Sequence, residues 1–541
     1  MADHVPASGL VSRRLSRRFQ VDLVVEGLLV GLIGGGIVTL FRLSLTHAER
    51  LLRFLTAQAA ANPALIVGWL AVLVAVLALI SWLMAWEPAT VGSGIPQVDA
   101  EVAGHLDEPW HRVLLAKFAE GTLITFAGLS MGREGPSVQL GGMAGKAVSR
   151  VLGRSRGEER LLVTCGAAAG MSAAFHAPLT GVLFAIEEIH RAFTAPLVIS
   201  VMCASVAADF LVSQVIGVDP VLSLAFAADI PHPSYALVVG LGIVAGVLGA
   251  LHNRGMFWAQ RMLGRLPAGM VRLAVPFALA GAAAFLWPAL MCGGDAVMGQ
   301  VFAPQAPTLG VLLALLAGKY VFTTVCFGSG APGGTLFPLV ALGSLMGAAY
   351  ASACEGLLGL SPELYPNFVA LGIAGLFAAA IQAPVTAVVL VFELTSSLDA
   401  LLSASIVSIV AYVTSSLLRT EGFYEHLLEG ILRKPGSAGA ETVGGRKTLV
   451  TFVVGAQSEA DGHRVLELAW PAQARLVTVR RGTSEIVPTG TTTLRAHDEL
   501  VVIGDEDCLE ELERGMGALC DARVGMVGDK RQPARDEEES S

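Results

Sequence analysis

A carboxylate and a guanidinium stand side by side in an otherwise apolar part of the chain. Glu134 follows Arg133 within Gly132–Pro136, and apolar sequence flanks this run on both sides. Charged side chains at membrane depth are costly and usually face a water-filled or ion-lined path. Because Pro136 suits the first turn of a helix, we expect a helix whose positive end and ionisable carboxylate meet at one point. Such a site handles an anion and a proton together; the alternative is an Arg133–Glu134 pair in an extramembrane loop.

Two further glycine-rich segments are candidates for exposed helix N-termini. Gly92–Pro96 follows an apolar run, and its Ser93 either caps a helix or donates its hydroxyl to an anion. Gly330–Pro338 opens another apolar stretch, where the N–H groups of Thr335 and Leu336 should lack helical partners. Each segment is equally compatible with an ordinary cap or a tight turn. Neither predicts an ion site alone.

A tyrosine near the end of the apolar region is the last candidate. Tyr424 lies in Gly422–Glu425, and its phenol either donates a hydrogen bond inward or serves as an aromatic anchor at the membrane interface. The order and spacing of the four segments carry more weight than any one of them.

The composition places these segments in a bilayer. The 541-residue chain is 54% hydrophobic and only 15% charged, with a mean hydropathy of +0.64, whereas soluble domains are roughly 25% charged. Several apolar runs approach the ~20 residues that span a hydrocarbon core. Glycine and proline interrupt the sequence at 92–96, 132–136, 328–338 and 382–384. Irregular backbone survives at that depth only where protein or water satisfies it, so the breaks indicate a channel or transporter.

Charge sets the expected topology and excludes several classes. Arginines at 13, 14, 17 and 18 precede the first apolar run, and basic residues follow the last one, which predicts that both termini are cytoplasmic. No signal-peptide cleavage site is apparent. A net charge of -9 argues against a nucleic-acid partner. The seven cysteines form no CxxC pair, so neither a metal site nor disulfides are indicated.

Composition shifts divide the chain into five expected regions. They are a basic cytoplasmic arm (1–20), a membrane domain (21–432), a flexible linker (433–446), a small soluble domain (447–522) and a disordered tail (523–541). The soluble domain alternates like short strands at 449–454, 475–479 and 499–503 before a helical pattern at 507–516.

The four segments together resemble the CLC family of chloride channels and transporters. Gly92–Pro96 matches the family motif GSGIP, Gly132–Pro136 matches GREGP, and Gly334–Pro338 resembles GxFxP. Phe184–Ile189 resembles the stretch that carries the family's internal proton glutamate. The segment 391–395 and Tyr424 fall where the family's late elements fall, and the resemblance covers about residues 21–432.

The resemblance implies an all-α polytopic membrane protein, built as an inverted repeat of broken, tilted helices. It also implies a homodimer with one pore per subunit, located in the cell (inner) membrane. Chloride and protons would be the substrates, and no cofactor is implied. No nucleophile elbow, Walker loop or metal-ligand cluster in the sequence suggests an enzyme.

The resemblance also assigns the candidate residues. Ser93 and Tyr424 would donate hydroxyls to a central chloride, joined by the backbone N–H groups of Thr335 and Leu336. Gly92 would border the inner site. The N–H groups around Arg133 and Gly135 would form the outer site, which the carboxylate of Glu134 occupies when ionised. Glu188 is the ninth residue that the resemblance assigns.

Glu188 decides between two modes of transport. It matches the family's internal proton glutamate, which favours a proton-coupled exchanger over a passive chloride channel. The structural alternative is a charged helix end held by a salt bridge to Arg191, a role that we expect of Glu187 instead.

Two departures from the family pattern concern the pore. Leu336 stands where the family has phenylalanine, which changes a pore-lining side chain while leaving backbone coordination possible. Gln97 follows the first motif where many members have glutamate, which removes a charge near the inner mouth.

The soluble domain resembles an RCK C-terminal (TrkA-C) domain, a small α/β module that pairs as a dimer and binds a nucleotide regulator in some transporters. The matching segments are 462–468, 479–482, 486–488 and 494–500. His497 replaces the usual glycine before Asp498. Arg480 and Arg481 are candidates for a phosphate, although neighbours on a strand point to opposite faces. We expect a regulatory or dimerising role.

Overall fold

The computed structural model describes residues 17–217, 226, 230–303, 307–432, 447–471, 474–481, 484–505 and 509–520. The chain divides into two compact units, Met1–Ala438 and Gly439–Ser541. Most of the expected basic arm, the linker 433–446 and the tail 523–541 lie outside the described residues.

The first unit is helical throughout its described residues. In chain order its helices are α1 (Arg17–Ala61), α2 (Pro63–Trp86), α3 (Ile95–Ala103), α4 (Trp110–Ala127), α5 (Glu134–Val151), α6 (Arg156–Phe175), α7 (Pro178–Phe184), α8 (Ala195–Val215), α9 (Tyr235–Leu263), α10 (Met270–Leu286), α11 (Asp295–Val301), α12 (Leu309–Gly328), α13 (Leu336–Leu358), α14 (Tyr365–Ile381), α15 (Pro384–Thr395), α16 (Ala400–Leu417) and α17 (Phe423–Leu432). A π-helical turn, Ala185–His190, extends α7.

Eight helices in the described residues are long and apolar enough to cross a membrane. Others are half-length, among them α3, α7 and α11, and they lie where glycine and proline interrupt the sequence. Proline in the first turn of α3, α7 and α15 starts a helix without wasting a backbone donor. The expected all-α polytopic fold of broken helices is confirmed.

Two broken helices cap each other. The carboxylate of Glu393, in the last turn of α15, accepts hydrogen bonds from Thr180 N (2.7 Å) and Thr180 Oγ1 (2.6 Å) in the first turn of α7. The carboxylate of Glu187, just beyond α7, accepts from Thr386 N (2.9 Å) and Thr386 Oγ1 (2.6 Å) in the first turn of α15. Each acid therefore satisfies donors that a helix start leaves unpaired.

This arrangement corrects the expectation for Glu187. Glu187 forms no salt bridge with Arg191 in the described structure; Arg191 Nη2 instead lies 3.3 Å from Asp99 Oδ2. The backbone donors at the start of α15 hold the Glu187 carboxylate because they are fixed by the helix, whereas the arginine side chain is long enough to reach a second acid.

Close helix crossings recur in both halves of the first unit. A β-carbon at Gly141 on α5 would lie 2.1 Å from the carbonyl oxygen of Gly166 on α6. A β-carbon at Gly372 on α14 would lie 2.5 Å from the carbonyl oxygen of Gly343 on α13. Only glycine permits such backbone contact, which lets each pair of helices cross at short distance.

The second unit is a small antiparallel sheet with one described helix packed in its core. Its strands are β1 (Lys447–Val453), β2 (Arg475–Arg481), β3 (Ser484–Ile486) and β4 (Glu499–Asp505), followed by α18 (Leu509–Cys520). The order in the sheet is β1-β4-β2-β3. The three strands and the helix expected from the sequence are confirmed, with bounds shifted by a few residues.

An ion pair between a half-buried arginine and a buried carboxylate joins the end of β2 to the turn before β4. Arg481 Nε and Nη2 donate to the two oxygens of Asp498 at 2.7 and 2.6 Å, and Arg495 N donates to Asp498 Oδ2 at 2.8 Å. Burial opposes ionisation, but these donors outweigh it and lower the pKa of Asp498. His497 has a left-handed φ of 68°, the conformation for which glycine is favoured. The guanidinium of Arg481 is therefore already paired with the Asp498 carboxylate.

We predict that Asp498→Asn destabilises the C-terminal domain by about 2 kcal/mol, because two charged hydrogen bonds are weakened beside a buried group. In the native chain the lowered pKa gives stabilisation that is present above the unfolded pKa of about 4 and is lost as pH falls further. Amide hydrogen exchange in β2 and β4, measured against pH, checks both statements. Arg480→Gln is the control, since Arg480 pairs only through an exposed side chain; equal exchange in the two variants would contradict the prediction.

Candidate functional site

Three glycine-rich loops meet through their backbones. Gly132 and Gly334 exchange two hydrogen bonds, from Gly132 N to Gly334 O (2.7 Å) and from Gly334 N to Gly132 O (2.8 Å). Gly92 joins them by donating to Gly330 O (3.2 Å) and accepting from Gly333 N (3.1 Å). The starts of α3, α5 and α13 are therefore gathered in one place. Each has a positive helix end.

The carboxylate of Glu134 lies at this junction. Its side chain is fully buried, and neither oxygen has a hydrogen-bond partner among the described residues. A β-carbon at Gly334 would lie 2.4 Å from Glu134 Oε1, so the carboxylate rests directly against the glycine backbone. The amide groups of Leu336 and Phe337, in the first turn of α13, face it.

Two hydroxyl groups are also buried here without partners. Ser93 Oγ and Tyr424 Oη form no hydrogen bond with any described residue. The phenol of Tyr424 lies beside Ser93 and Thr335 and in the electrostatic field of Glu134. Buried hydroxyls normally find a partner, so this pair offers two donors to a bound anion.

The positions of these two side chains decide between the alternatives that the sequence left open. Ser93 is not the helix cap: Gly94 occupies the N-cap of α3, with a φ of 98°. Tyr424 is 1% exposed and is therefore not an interfacial anchor. Its ring packs edge-on against Phe184 at 6.2 Å.

Arg133 precedes Glu134 without pairing with it in the described structure. Its guanidinium lies over the ring of Phe337, 4.6 Å from the centroid, and its backbone oxygen accepts from Ser137 N (3.0 Å) and Ser137 Oγ (2.8 Å). The side chain supports the loop, and its backbone N–H, with that of Gly135, lies at the start of α5. An isolated Arg133–Glu134 pair in an extramembrane loop is excluded.

Glu188 lies apart from this junction, on the π-helical turn beyond α7. It is half-buried, and its carbonyl oxygen accepts from Arg191 Nε at 3.2 Å. A cavity of about 800 Å³ opens next to it, lined by Asp99, His190 and Arg191 among others. Glu188 itself does not line this cavity; the three residues that follow it, Ile189, His190 and Arg191, do.

A second cavity, of about 520 Å³, leads away from the junction. Gly92 and Ser93 line it together with Gln97, whose Nε2 donates to Val91 O at 2.6 Å. An ion can therefore approach Ser93 by a route that differs from the cavity beside Glu188.

Known proteins resemble the chain in both units. The family model for voltage gated chloride channels matches residues 76–416, and that for the TrkA-C domain matches 449–517. The H(+)/Cl(-) exchange transporter ClcA of Cronobacter sakazakii is 33% identical over 69% of this chain and 82% of its own length. The protein of the same name from Salmonella typhimurium is 32% identical over 79% of this chain and 93% of its own length.

The chain belongs to the voltage-gated chloride channel (CLC) family. Its C-terminal unit is a TrkA-C domain.

Solved structures agree with this assignment. A slow cyanobacterial Cl-/H+ antiporter superposes with a TM-score of 0.73 at 30% identity, covering 76% of this chain and 98% of the other. A CLC-type fluoride/proton antiporter, 23% identical and also covering 76% of this chain and 98% of its own, shares the fold with a TM-score of 0.61.

Within the CLC frame, the residue that differs from the family motif is fully buried. Leu336 belongs to the largest apolar cluster together with Phe337 and Tyr424. The aromatic side chain expected at 336 is thus replaced by an aliphatic one, while the neighbouring Phe337 supplies a ring that supports Arg133.

A buried lysine was missed by reasoning from the sequence. Lys117 on α4 is fully buried, and its Nζ donates to Thr90 O and Gly92 O, both at 2.8 Å. It thereby fixes the loop that presents Ser93. The sequence does contain an indication of this buried charge, because Lys117 is a single cation within the apolar run 113–119.

We predict that Gly334→Ala lowers the thermal stability of the purified protein, because the β-carbon would meet Glu134 Oε1 at 2.4 Å and Gly135 N at 2.7 Å. Overpacking of this kind costs about 1–3 kcal/mol. Gly430→Ala is the matched control: its β-carbon meets nothing within 4 Å, and alanine favours helix. A melting temperature of Gly334→Ala equal to that of the wild type would show that the junction tolerates displacement.

Proposed function

We propose that this chain is a secondary active H+/Cl- antiporter in which Glu134 couples chloride movement to proton movement. The observation that carries the proposal is the fully buried Glu134 carboxylate, unpartnered within the described residues, at the junction of two positive helix ends. The exchangers among its relatives support this assignment over a passive channel.

In this proposal chloride crosses by binding to dipoles rather than to full positive charges. Ser93 and Tyr424 donate their hydroxyls, and Thr335 and Leu336 donate backbone N–H groups, at the central position. Gly92 borders the inner position. Helix ends and hydroxyls attract an anion weakly enough to release it, which rapid turnover requires.

The outer position lies at the backbone of Arg133 and Gly135, where the Glu134 carboxylate competes with chloride. Two anions repel strongly where water is scarce, so chloride entry favours protonation of Glu134. The neutral side chain then leaves the site. Chloride and proton therefore exclude each other at one position, which is the condition for exchange.

Glu188 supplies the inner end of the proton route. The cavity lined by its neighbours Ile189 and His190 differs from the one lined by Ser93. Protons can thus enter without following chloride. A passive channel would have no use for this second ionisable group.

The same proposal includes a homodimer in the cell (inner) membrane, with both termini cytoplasmic. The exposed apolar side chains of α8 and α16, such as Ile199, Phe210 and Ile409, are suited to cover by lipid or by a second copy. The arginines before the first span support the orientation.

The proposal predicts that a chloride gradient drives uphill proton movement when the purified protein is reconstituted in liposomes. Glu134→Ala should abolish proton movement while chloride still flows, because the competing carboxylate is gone. Glu188→Gln should also abolish proton movement, since an amide cannot titrate. Simultaneous chloride-electrode and pH-electrode recordings measure both fluxes.

Glu187→Gln is the matched control for Glu188→Gln. Glu187 is an adjacent acid, but its role in the structure is to accept hydrogen bonds from Thr386, and a glutamine oxygen can still accept them. Coupling should therefore survive in this variant. Chloride flux without any proton movement in the wild type would identify a passive channel, and coupling retained in Glu188→Gln would remove that residue from the route.

We further propose that the TrkA-C domain regulates transport or stabilises the dimer, with a nucleotide as a candidate ligand. Arg481 is bound to Asp498, so a phosphate group would have to be met elsewhere in the domain. The proposal requires no cofactor or metal for transport itself.

Deletion of residues 436–541 should leave coupled transport intact but change its rate or the strength of the dimer. The reason is that the candidate transport residues all belong to the first unit. Liposome flux and single-molecule subunit counting measure the two effects. Loss of all flux in a folded dimer would make the domain part of the transport machinery.

A further inference from the structure

A basic cavity lies where α9 approaches the end of α16 and the start of α17. Its volume is about 250 Å³, and its lining includes Arg254, Arg261, Arg419 and His426. Arg254 Nη2 donates to Leu418 O at 2.7 Å, which fixes one guanidinium at the cavity. The transport proposal uses none of these arginines.

The charge of the cavity favours an anion. Its one acidic side chain, Glu421, is engaged by His426 Nδ1 at 2.6 Å. None of the salt bridges between described residues involves Arg254, Arg261 or Arg419. Three arginines thus line one cavity together with one paired carboxylate. Arginine suits phosphate because its planar group donates two parallel hydrogen bonds.

The size of the cavity limits the ligand. Pockets for drug-sized molecules are roughly 300–1,000 Å³, and this one is about 250 Å³. It accommodates a phosphate group with a short polar extension, and the remainder of a larger molecule would lie outside it.

The surroundings of the cavity are those of a membrane interface. Trp258 lies on α9 between Arg254 and Arg261, at helical spacing that places the three on one face, and is 57% exposed. Leu417, two residues before Arg419, is 79% exposed. Exposed tryptophan beside arginine is typical of the headgroup level of a bilayer, and basic pockets between helices there bind anionic headgroups.

We propose that this cavity binds the phosphate of an anionic phospholipid, with Arg254, Arg261 and Arg419 around the phosphate. The acyl chains lie along the exposed apolar side chains of α9 and α16. Free inorganic phosphate shares the chemistry of the headgroup but gains nothing from those apolar surfaces, which is why the lipid is favoured.

The cavity connects directly to the start of the helix that carries Tyr424. The ring of Phe257, which also lines the cavity, stacks on His426 at 3.9 Å and on Phe423 at 5.6 Å. Asn253 Nδ2 donates to Glu421 O at 3.1 Å just before α17. A phosphate held by the arginines therefore fixes the start of α17, and with it the position of the Tyr424 hydroxyl.

The test uses the full-length protein and two readouts. Native mass spectrometry measures phosphatidylglycerol retained after purification, and chloride flux is recorded in vesicles of phosphatidylcholine with or without phosphatidylglycerol. We expect retention of the anionic lipid and a flux that differs several-fold between the two vesicle types. Each arginine near an anionic surface contributes about fivefold in binding, so Arg261→Gln combined with Arg419→Gln should lower retention about 25-fold and remove the lipid dependence of the flux.

Two controls separate a site from general surface charge. Arg265→Gln removes an arginine beyond the same end of α9 that does not line the cavity, and it should retain lipid as the wild type does. Arg261→Lys keeps the charge and should lose only part of the retention, which also shows that the position tolerates substitution.

Three outcomes would overturn the proposal. If Arg265→Gln lost as much retained phosphatidylglycerol as the double variant, only general surface charge would attract the lipid. An equal effect of inorganic phosphate in phosphatidylcholine vesicles would assign the cavity to free phosphate. Absence of lipid retention in the wild type would mean that the cavity binds no headgroup.

Discussion

The pair of backbone hydrogen bonds between Gly132 and Gly334 is the contact on which the remainder of the site depends. Two loops far apart in sequence share a pair of hydrogen bonds at 2.7 and 2.8 Å, and each loop opens a helix within two residues. Side chains on either glycine would collide with the Glu134 carboxylate. The positive ends of α5 and α13 are thereby held together around a single small volume, which neither helix could create alone.

Burying polar groups in that volume costs free energy. Ser93, Tyr424 and Glu134 all bury polar oxygens without partners among the described residues, and each such group costs about 1–3 kcal/mol. Leu336 and Tyr424 belong to the large apolar cluster of the first unit, which holds the Tyr424 ring in place beside Ser93. In the proposed function, an anion that supplies the missing partner would meet groups that are already in position, with no reorganisation of the protein.

The sequence predicted the helix breaks and the candidate residues because glycine, proline and isolated charges in apolar runs have direct physical consequences. It could not predict the contacts between backbones, since a backbone hydrogen bond from Gly132 to Gly334 does not depend on the type of either side chain. Glu187 shows the same limit. Arg191 was the expected partner because it is near in sequence, whereas the actual partner, Thr386, is 199 residues away. Lys117 was missed because its partners are carbonyl groups.

The two halves of the membrane unit repeat the scaffold but not the chemistry. Glu187 and Glu393 are equivalent and cap each other's helices, and Lys117 has a counterpart in Lys319, whose Nζ donates to Leu290 O and Cys292 O.

The residue after each capping acid differs: Glu188 follows Glu187, whereas Leu394 follows Glu393. The first residue of each central helix differs in the same way, with Glu134 opening α5 and Leu336 opening α13. Charges present in both halves satisfy backbone groups, so they are explained by the fold. Glu134 and Glu188 have no acidic counterpart at these positions of the second half, and this difference supports the proposal that they carry the proton.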